Sequence, residues 1–332
     1  MKKKVLILFD LASPPPPEQN YRDFDKATGW DQEIGVKRAI QHLGGEAILV
    51  GVFDDIVRLI KELQEFAPEV VFNMTESFRN KRELEPQIAG VLELLGIPYT
   101  GTRSLGLGIC QDKSLSKKIL VHHRIRTAQW VISKKNAPIR GLKSFKFPAF
   151  VKPVSTESSE GISKDSLVKN ESDCFERVRY LHEKFECDVM IEEFIEGREL
   201  YVSVMGDKRL KVFPIRELTF SRFSEDEPKF ATYKVKWDEN YRKKWGIRNE
   251  FAKDLSDEIV RKASKMAKKA FEVLKLKGYA RFDMRLTEQN ELVILEANPN
   301  PSIADYDDFP QSAKKGGISY DDLIGKIIDL AY

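Results

Sequence analysis

Short apolar runs alternate with segments of helical periodicity along the first hundred residues. Short apolar runs, which predict buried strands, lie at 4–9, 47–52 and 69–73. Segments with apolar residues at helical spacing, which predict helices, lie at 30–43, 54–65 and 84–95. This alternation of strands and helices predicts a doubly wound α/β domain over residues 1–98.

The pattern changes after residue 98 and predicts an α+β arrangement. Strand-like segments and a helix near 171–185 fill residues 99–190, which we expect to form a second unit. Residues 191–332 form a third unit, with a polar, aromatic-containing excursion or lid at 217–247 and a long amphipathic helix at 251–275. The third unit ends in two adjacent strand-like segments and a helix that begins near Tyr320.

The last two strand-like segments predict a hairpin that carries polar residues on one face. A two-residue turn at Gln289 and Asn290 pairs Asp283 with Glu296 and Arg281 with Asn298. Side chains alternate along a strand, so these four polar side chains share one face of the sheet. The side chains that we expect on the opposite face, in a core, are Phe282, Met284, Leu295 and Ala297.

Two carboxylates placed opposite each other, such as Asp283 and Glu296, destabilise a sheet unless something compensates their charge. A shared proton or a neighbouring Lys or Arg would suffice. A hard cation is the third alternative, because Asp283, Glu296 and Asn298 offer only oxygen ligands and magnesium prefers such ligands together with phosphate. Manganese would accept the same ligands.

Three lysines are candidates for binding phosphate, although each also fits a solvated surface position. Lys152 ends an apolar strand, Lys113 begins a helix, and Lys236 lies in the predicted excursion. The serine-rich loop at 155–163 offers hydroxyl and amide groups to an anion. It matches neither a Walker A motif nor a dinucleotide fingerprint, so the loop alone is a weak signal.

Composition limits the classes of function. The 332 residues are 42% hydrophobic and 32% charged, with a net charge of +3, which favours neither nucleic-acid nor membrane binding. No apolar run approaches the length of about 20 residues that spans a membrane, and no signal peptide is evident, so we expect a cytoplasmic protein. Three dispersed cysteines predict neither a disulfide framework nor a zinc site.

A series of motifs in fixed order resembles the ATP-grasp superfamily, and within it the D-alanine–D-alanine ligase family. The motifs are IPYTG, QDKSLSKKIL, FPAFVKP, the serine-rich loop, IEEFIEGREL, ARFDMRL, LEANPNPS and GISYDDLI. The resemblance runs from about residue 68 to the C-terminus. It implies a Rossmann-like substrate domain (the pre-ATP-grasp domain) at 1–98, an ATP-grasp central subdomain at 99–190 and a C-terminal subdomain with the metal site at 191–332.

The resemblance also implies roles for individual residues. Lys113 and Lys152 would hold the nucleotide phosphates, and Lys236 would contact phosphate from a mobile loop on which Trp237 helps to close the site. The residues implied on the nucleoside side are Glu192 and Glu193 near adenine, Ile195 through its backbone, and Glu199 at the ribose.

The remaining implied roles concern the metal and the chemistry. Asp283, Glu296 and Asn298 match the magnesium ligands. Arg281 matches the arginine that stabilises the tetrahedral intermediate, and Ser158 of the serine-rich loop joins Arg281 and Lys236 as a catalytic candidate. The implied cofactors are ATP and Mg²⁺, with Mn²⁺ as a substitute.

The implied reaction is the ATP-dependent joining of a carboxylate and an amine, from amino acids or small peptides, through an acyl phosphate. Two alternatives have the same fold: a non-catalytic ATP-binding protein and another ATP-grasp phosphoryl or acyl transferase. The substrates are small molecules, and nucleic acid and membrane are not expected as partners. The sequence is compatible with a homodimer but does not determine the oligomeric state.

Three departures from the family pattern put D-alanine in doubt as the substrate. Glu18 and Glu33 are both candidates for the N-terminal glutamate that grips the first amino group. Glu157 stands where the family has a glycine. Asp307, followed by Asp308, stands where the family has a small polar residue that binds the acceptor carboxylate. An aspartate there favours a cationic or amine-bearing acceptor, unless Asp307 turns outward.

Overall fold

The computed structural model describes residues 3–15, 30–140, 142, 145–154, 161–224 and 229–332. The N-terminal sheet is parallel, in the order β2-β1-β3. Its strands are β1 (Lys4–Asp10), β2 (Glu46–Val52) and β3 (Val70–Asn73). The central strand is buried on both faces, as expected for a sheet with helices on both sides.

Helices cover both faces of the N-terminal sheet, which confirms the predicted doubly wound architecture. α2 (Ile56–Phe66) and α3 (Glu85–Leu94) cover one face. The other face is covered by α1 (Asp31–His42) and by α11 (Tyr320–Asp329), which returns from the far end of the chain. The C-terminal helix therefore contributes to the core of the N-terminal unit.

The second sheet is antiparallel, in the order β4-β7-β5-β6. Two helices, α4 (Ser104–Gln111) and α5 (Lys113–His122), lead into it, and α6 (Glu171–Phe185) packs against its core. The strands are β4 (Trp130–Ser133), β5 (Ala149–Pro153), β6 (Leu167–Val168) and β7 (Val189–Glu193). β7 continues past residue 190, so we propose the boundary with the third unit between Glu193 and Arg198.

The third sheet has the order β11-β10-β8-β12-β13, with β9 paired to β8. Its strands are β8 (Arg198–Gly206), β9 (Lys211–Val212), β10 (Arg216–Phe220), β11 (Ile247–Phe251), β12 (Gly278–Leu286) and β13 (Leu292–Pro299). The helices are α7 (Tyr233–Trp237), α8 (Glu239–Trp245), α9 (Asp257–Val273) and α10 (Asp308–Lys315). The predicted excursion at 217–247 therefore begins in β10 and ends in β11, and these two strands pair at the edge of the sheet.

The β12–β13 hairpin has the predicted pairing at its polar end but a different turn. Thr287 N donates to Glu291 O at 3.0 Å, so three residues form the turn rather than two. Asn290 takes the left-handed conformation, with φ of 62°, as is common at the last position of such a turn.

A bulge then restores the pairing that the longer turn would have shifted. Asp283 pairs with Glu296, whereas the next residue, Met284, pairs with Ile294. The extra residue is Leu295, which we predicted to point into the core. It lines the open cleft instead, and Ile294 is the buried residue.

Candidate active site

A cleft of about 2190 Å³ is lined by the second and third sheets and by the loop that follows β3. Of the sequence-predicted site residues, those that line it are Lys113, Lys152, Lys236, Trp237, Arg281, Glu296, Asn298, Asp307 and Asp308. They come from the start of α5, the end of β5, α7, the β12–β13 hairpin and the start of α10. Ser158, Glu157 and Glu18 lie outside the described residues.

Secondary structure fixes two of the three lysines that we predicted to bind phosphate. Lys113 is the first residue of α5, whose preceding residue, Asp112, accepts hydrogen bonds from Ser114 N and Leu115 N. Lys152 is held on β5, with 8% of its surface exposed. A buried lysine at the wall of a cleft requires a nearby acid.

Glu192 is that acid, and it pairs with two lysines at once. Its Oε2 lies 2.6 Å from Lys152 Nζ, and its Oε1 lies 2.8 Å from Lys117 Nζ. Lys117 also donates to Thr127 Oγ1 and to the carbonyl of Leu295 at 2.9 Å and 3.1 Å. Sequence reasoning missed Lys117, whose only signal is its position one helical turn after Lys113.

The charges of this buried triad shift its pKa values. Burial acts to raise the pKa of Glu192, but Lys117 and Lys152 outweigh it and the pKa is lowered. Burial lowers the pKa of Lys117 against the opposing effect of Glu192. The pKa of Lys152 is raised, because Glu192 and Glu296 together outweigh its burial. The triad therefore keeps Lys152 cationic at the cleft.

The four residues predicted on the nucleoside side do not line the main cleft. Glu193 contacts Arg126 at 3.4 Å and accepts a bond from Gln129 N, while Ile195 is buried. Glu199 accepts hydrogen bonds from Arg285 Nη2 at 2.9 Å and Tyr201 OH at 3.1 Å. The carboxylate of Glu192 is paired with Lys117 and Lys152, so its side chain does not point towards a nucleoside.

A neighbouring cavity of about 1340 Å³ is lined by Glu199, Phe194 and Arg285. It shares Leu167 and Leu218 with the main cleft, so the two spaces adjoin.

Three phenylalanines, which sequence reasoning also missed, pack together, and one of them, Phe194, lines the smaller cavity. The rings of Phe150 and Phe194 are near parallel at 6.4 Å, and Phe230 meets them edge-on at 5.0 Å and 6.0 Å. Phe150 and Lys152 share one face of β5 because they are two residues apart. The phenylalanine cluster therefore provides an apolar surface next to the charge of Lys152.

The predicted metal ligands occupy the predicted positions on the hairpin. Arg281 Nε and Nη2 donate to the two carboxylate oxygens of Asp283 at 2.7 Å and 3.0 Å. Burial and the charge of Glu296 raise the pKa of Asp283 to about 6, although Arg281 opposes the shift. The neighbouring arginine that we considered as an alternative to a cation is therefore present.

Glu296 lies in a strongly positive environment. Burial acts to raise its pKa, but Lys113, Lys236, Lys152 and Arg281 together lower the pKa to about 2. Among the described residues no group of three or more His, Cys, Asp or Glu could hold a metal. A cation here would therefore rest on two carboxylates and the amide of Asn298. That oxygen-only set fits magnesium, because each oxygen of Asp283 keeps a lone pair.

The two predicted acceptor residues differ in their surroundings. Asp308 accepts hydrogen bonds from Arg216 Nε at 2.6 Å and Asn249 Nδ2 at 2.7 Å, so protein groups satisfy it. Asp307 accepts a short hydrogen bond from the Ser302 hydroxyl, and burial raises its pKa. Glu33, the described candidate for the N-terminal glutamate, is half-buried and burial raises its pKa as well.

In the part of the chain that the structure describes, no helix is both long enough and apolar enough to cross a membrane.

A cleft between an antiparallel central sheet and a C-terminal sheet, lined by Lys113, Lys152, Lys236 and Glu296, is typical of an ATP-grasp ligase. The family model described as the D-ala D-ala ligase C-terminus matches residues 116–329, which is more than half of the chain. The chain belongs to the D-alanine–D-alanine ligase family, and it is an ATP-dependent ligase that forms a C–N bond.

Individual relatives agree with this assignment. The chain is 35% identical over 247 residues to D-alanine–D-alanine ligase B of Clostridium perfringens, covering 73% of this chain and 74% of that one. It is 27% identical over 305 residues to the D-alanine–D-alanine ligase of Moorella thermoacetica, covering 89% and 92%.

Solved structures show the same fold. The D-alanine–D-alanine ligase of Bacillus anthracis complexed with ATP superimposes with a TM-score of 0.75 at 22% identity, over 99% of this chain and 97% of that one. A D-alanine:D-serine ligase from Enterococcus faecalis superimposes with a TM-score of 0.71 at 19% identity, and each chain is covered in full. These similarities confirm the predicted fold class.

Proposed function

We propose that this protein joins the carboxylate of one small amino acid or peptide to the amine of another, through an acyl phosphate formed from ATP. The observation that carries the proposal is the convergence of Lys113, Lys152, Lys236 and Arg281 on Glu296. Lys152 is paired with Glu192 and Arg281 with Asp283, but Lys113 and Lys236 still exceed the single charge of Glu296, and this excess of positive charge suits the phosphates of a nucleotide.

Magnesium is part of the proposal because of the same charge balance. The positive charge of the lysines would repel a free divalent cation, whereas the phosphates of a magnesium–nucleotide complex give it a net negative charge. Glu296, Asn298 and Asp283 would hold the ion. When bound, magnesium neutralises charge on the transferring phosphoryl group. Lys113, Lys152 and Lys236 would orient the phosphates, so that the substrate carboxylate meets the γ-phosphorus in line.

The nucleoside end of ATP would lie towards the smaller cavity. Phe194, which lines this cavity and packs against Phe150 and Phe230, offers a ring against which an adenine can stack. Each oxygen of Glu199 accepts one protein hydrogen bond and retains a lone pair for a ribose hydroxyl. Glu193 ends β7, and Phe194, between Glu193 and Ile195, lines this cavity, which supports the proposed roles of their backbone at the adenine edge.

The acceptor amine would attack the acyl carbon next to Arg281. This guanidinium is half-buried and would stabilise the oxyanion that forms before phosphate leaves. Trp237 and Lys236 on α7 line the cleft opposite the hairpin, where they would help to exclude water from the acyl phosphate.

The identity of the acceptor depends on Asp307. The relatives named above act, by their names, on D-alanine. A carboxylate at Asp307 would repel the carboxylate of a free amino acid, whereas it would attract an additional ammonium group. We therefore propose an acceptor that carries a cationic group. Since ATP is a cytoplasmic cosubstrate, we place the reaction in the cytoplasm, and a homodimer is compatible with it.

Phosphate release from ATP, measured with amino acids and dipeptides supplied singly and in pairs, tests this function. We expect release that requires both a carboxylate donor and an amine acceptor, with a ligated product visible by mass spectrometry. ATP hydrolysis that no added amine stimulates would support the other transferase class. Nucleotide binding without any turnover would support the non-catalytic alternative.

A further inference from the structure

A polar network lines the cleft and joins five separate elements of the third unit. We call it the Asp308 network. It consists of Asp308 on α10, Arg216 on β10, Asn249 on β11, Arg242 on α8 and Arg281 on β12. Resemblance to the family assigns no role to Arg216, Asn249 or Arg242, and it places Asp308 only next to the acceptor position.

Asp308 is the centre of this network. Arg216 donates to one of its oxygens and Asn249 to the other, at 2.6 Å and 2.7 Å. The side chains of Arg216 and Asp308 are each only 10% exposed, so their bond is shielded from water and is stronger than a surface ion pair. As the first residue of α10, Asp308 also lies at the positive end of that helix.

One branch of the network reaches the helix that carries Lys236 and Trp237. Asn249 accepts a hydrogen bond from Arg242 Nη2 at 2.9 Å, and Arg242 Nη1 donates to the carbonyl of Val235 at 2.6 Å. Val235 is the central residue of α7, whose last carbonyls have no partner within so short a helix. The Arg242 guanidinium therefore fixes α7 to β11.

The other branch reaches the residue proposed to stabilise the oxyanion. Arg281 Nη1 lies 4.0 Å from the oxygen of Asp308 that Asn249 also contacts, and the rest of the guanidinium is bound to Asp283. The ring of Tyr201 lies under Arg281 at 4.7 Å. Asp308, Asp283 and Tyr201 therefore determine the direction in which Arg281 points.

We propose that Asp308 is a positioning residue, which holds α7, with Lys236 and Trp237, in register with Arg281. In this role Asp308 acts through the protein groups bound to its two oxygens, Arg216 and Asn249, and not through a contact with nucleotide or acceptor. In Asp308→Asn the remaining oxygen should face the charged Arg216, which leaves the new Nδ2 facing Asn249 Nδ2 and Arg281, both of them donors. The substitution therefore breaks the contacts from which both branches start, without a change in size.

Hydrogen exchange at the amides of α7, residues 233–237, tests the network without any substrate. We expect Asp308→Asn and Arg242→Met each to raise the exchange rate of these amides about tenfold, the value for loss of a charge-assisted hydrogen bond. The double variant should show no more than the larger single effect, since both interrupt one chain of contacts. Asp257→Asn is the matched control, because Asp257 is likewise the first residue of a helix but is exposed.

The kinetic consequence rests on the proposed ligase function. With a substrate pair that the parent protein joins, we expect Asp308→Asn to lower kcat about tenfold while KM for ATP changes by less than about threefold. Unchanged exchange in α7, fully multiplicative effects in the double variant, or a rise in KM for ATP at constant kcat would each overturn the proposal. If the parent protein joins no substrates, the ligase function fails and the exchange result still decides the role of Asp308.

Discussion

Lys152 Nζ lies 2.6 Å from Oε2 of Glu192, and only 10% and 5% of the two side chains are exposed. The other oxygen of the same carboxylate binds Lys117. One buried acid therefore determines the position of the lysine that faces the cleft. This relationship links Glu192 to the proposed phosphate site through Lys152, although the sequence motif suggested a role beside adenine.

Lys117→Met should weaken ATP binding without removing any group from the cleft wall. Glu192 would then have Lys152 as its only cationic partner and would hold it away from phosphate. We expect nucleotide affinity to fall about tenfold and unfolding free energy to fall by about 3 kcal/mol, as for a broken buried ion pair. Calorimetric titration with ADP and chemical denaturation measure the two effects.

The matched control for that change is Lys118→Met, because Lys118 is the next residue of α5 and is exposed. Equal nucleotide affinity in Lys117→Met and Lys118→Met would refute the proposed link between Lys117 and phosphate binding.

Glu192→Gln should alter the pH dependence of stability. The pKa of Glu192 in the folded protein is below its ordinary value of 4.5. Its stabilising contribution is therefore complete above pH 4.5 and is lost as the pH falls through the lowered pKa. The variant should be less stable than the parent at pH 7, and the difference should shrink below pH 4.5.

Urea denaturation from pH 3 to pH 7 follows this change, with the exposed Glu183→Gln on α6 as the control. A stability difference that stays constant over the whole range would show that the charge of Glu192 does not contribute.

Glu296→Gln should impair catalysis more than nucleotide binding. The amide keeps one oxygen but loses the charge that balances the lysines and would hold magnesium. We expect kcat to fall at least about 100-fold and the magnesium requirement to rise, because charge stabilisation in the transition state is lost. Magnesium titrations of initial rates measure both quantities.

The control for Glu296→Gln is Glu291→Gln, because Glu291 is exposed and directly follows the turn of the same hairpin. If Glu291→Gln and Glu296→Gln give the same rates, the hairpin is not the metal site.

Asp307→Ser should change the preference among acceptors. The substitution removes the carboxylate and retains a hydroxyl beside Ser302. We expect kcat/KM for a neutral amino-acid acceptor to rise relative to a cationic one by about tenfold, the size of one favourable charge interaction in a partly buried site. A panel of acceptors at saturating ATP measures the ratio, with the exposed Asp305→Ser as the control. An unchanged ratio would place Asp307 outside the acceptor site.

Local sequence by itself determined the features that depend on short-range periodicity, namely the strands, the helices and the face of each strand on which a side chain lies. Strand alternation placed Arg281, Asp283, Glu296 and Asn298 on one face of a hairpin, and the order of motifs identified the fold. The predicted pairing of Asp283 with Glu296 is correct although the predicted turn length is wrong, because the three-residue turn and the bulge at Leu295 compensate each other.

Tertiary structure alone decided which charged side chains pair. Lys117 with Glu192, Arg285 with Glu199 and the Asp308 network join residues that are far apart in the chain. Likewise the last helix, α11, completes the core of the first sheet. Periodicity reports which face a side chain occupies, whereas its partner depends on how separate sheets and helices pack. Burial of a charge demands some partner, and only the packed structure selects which one.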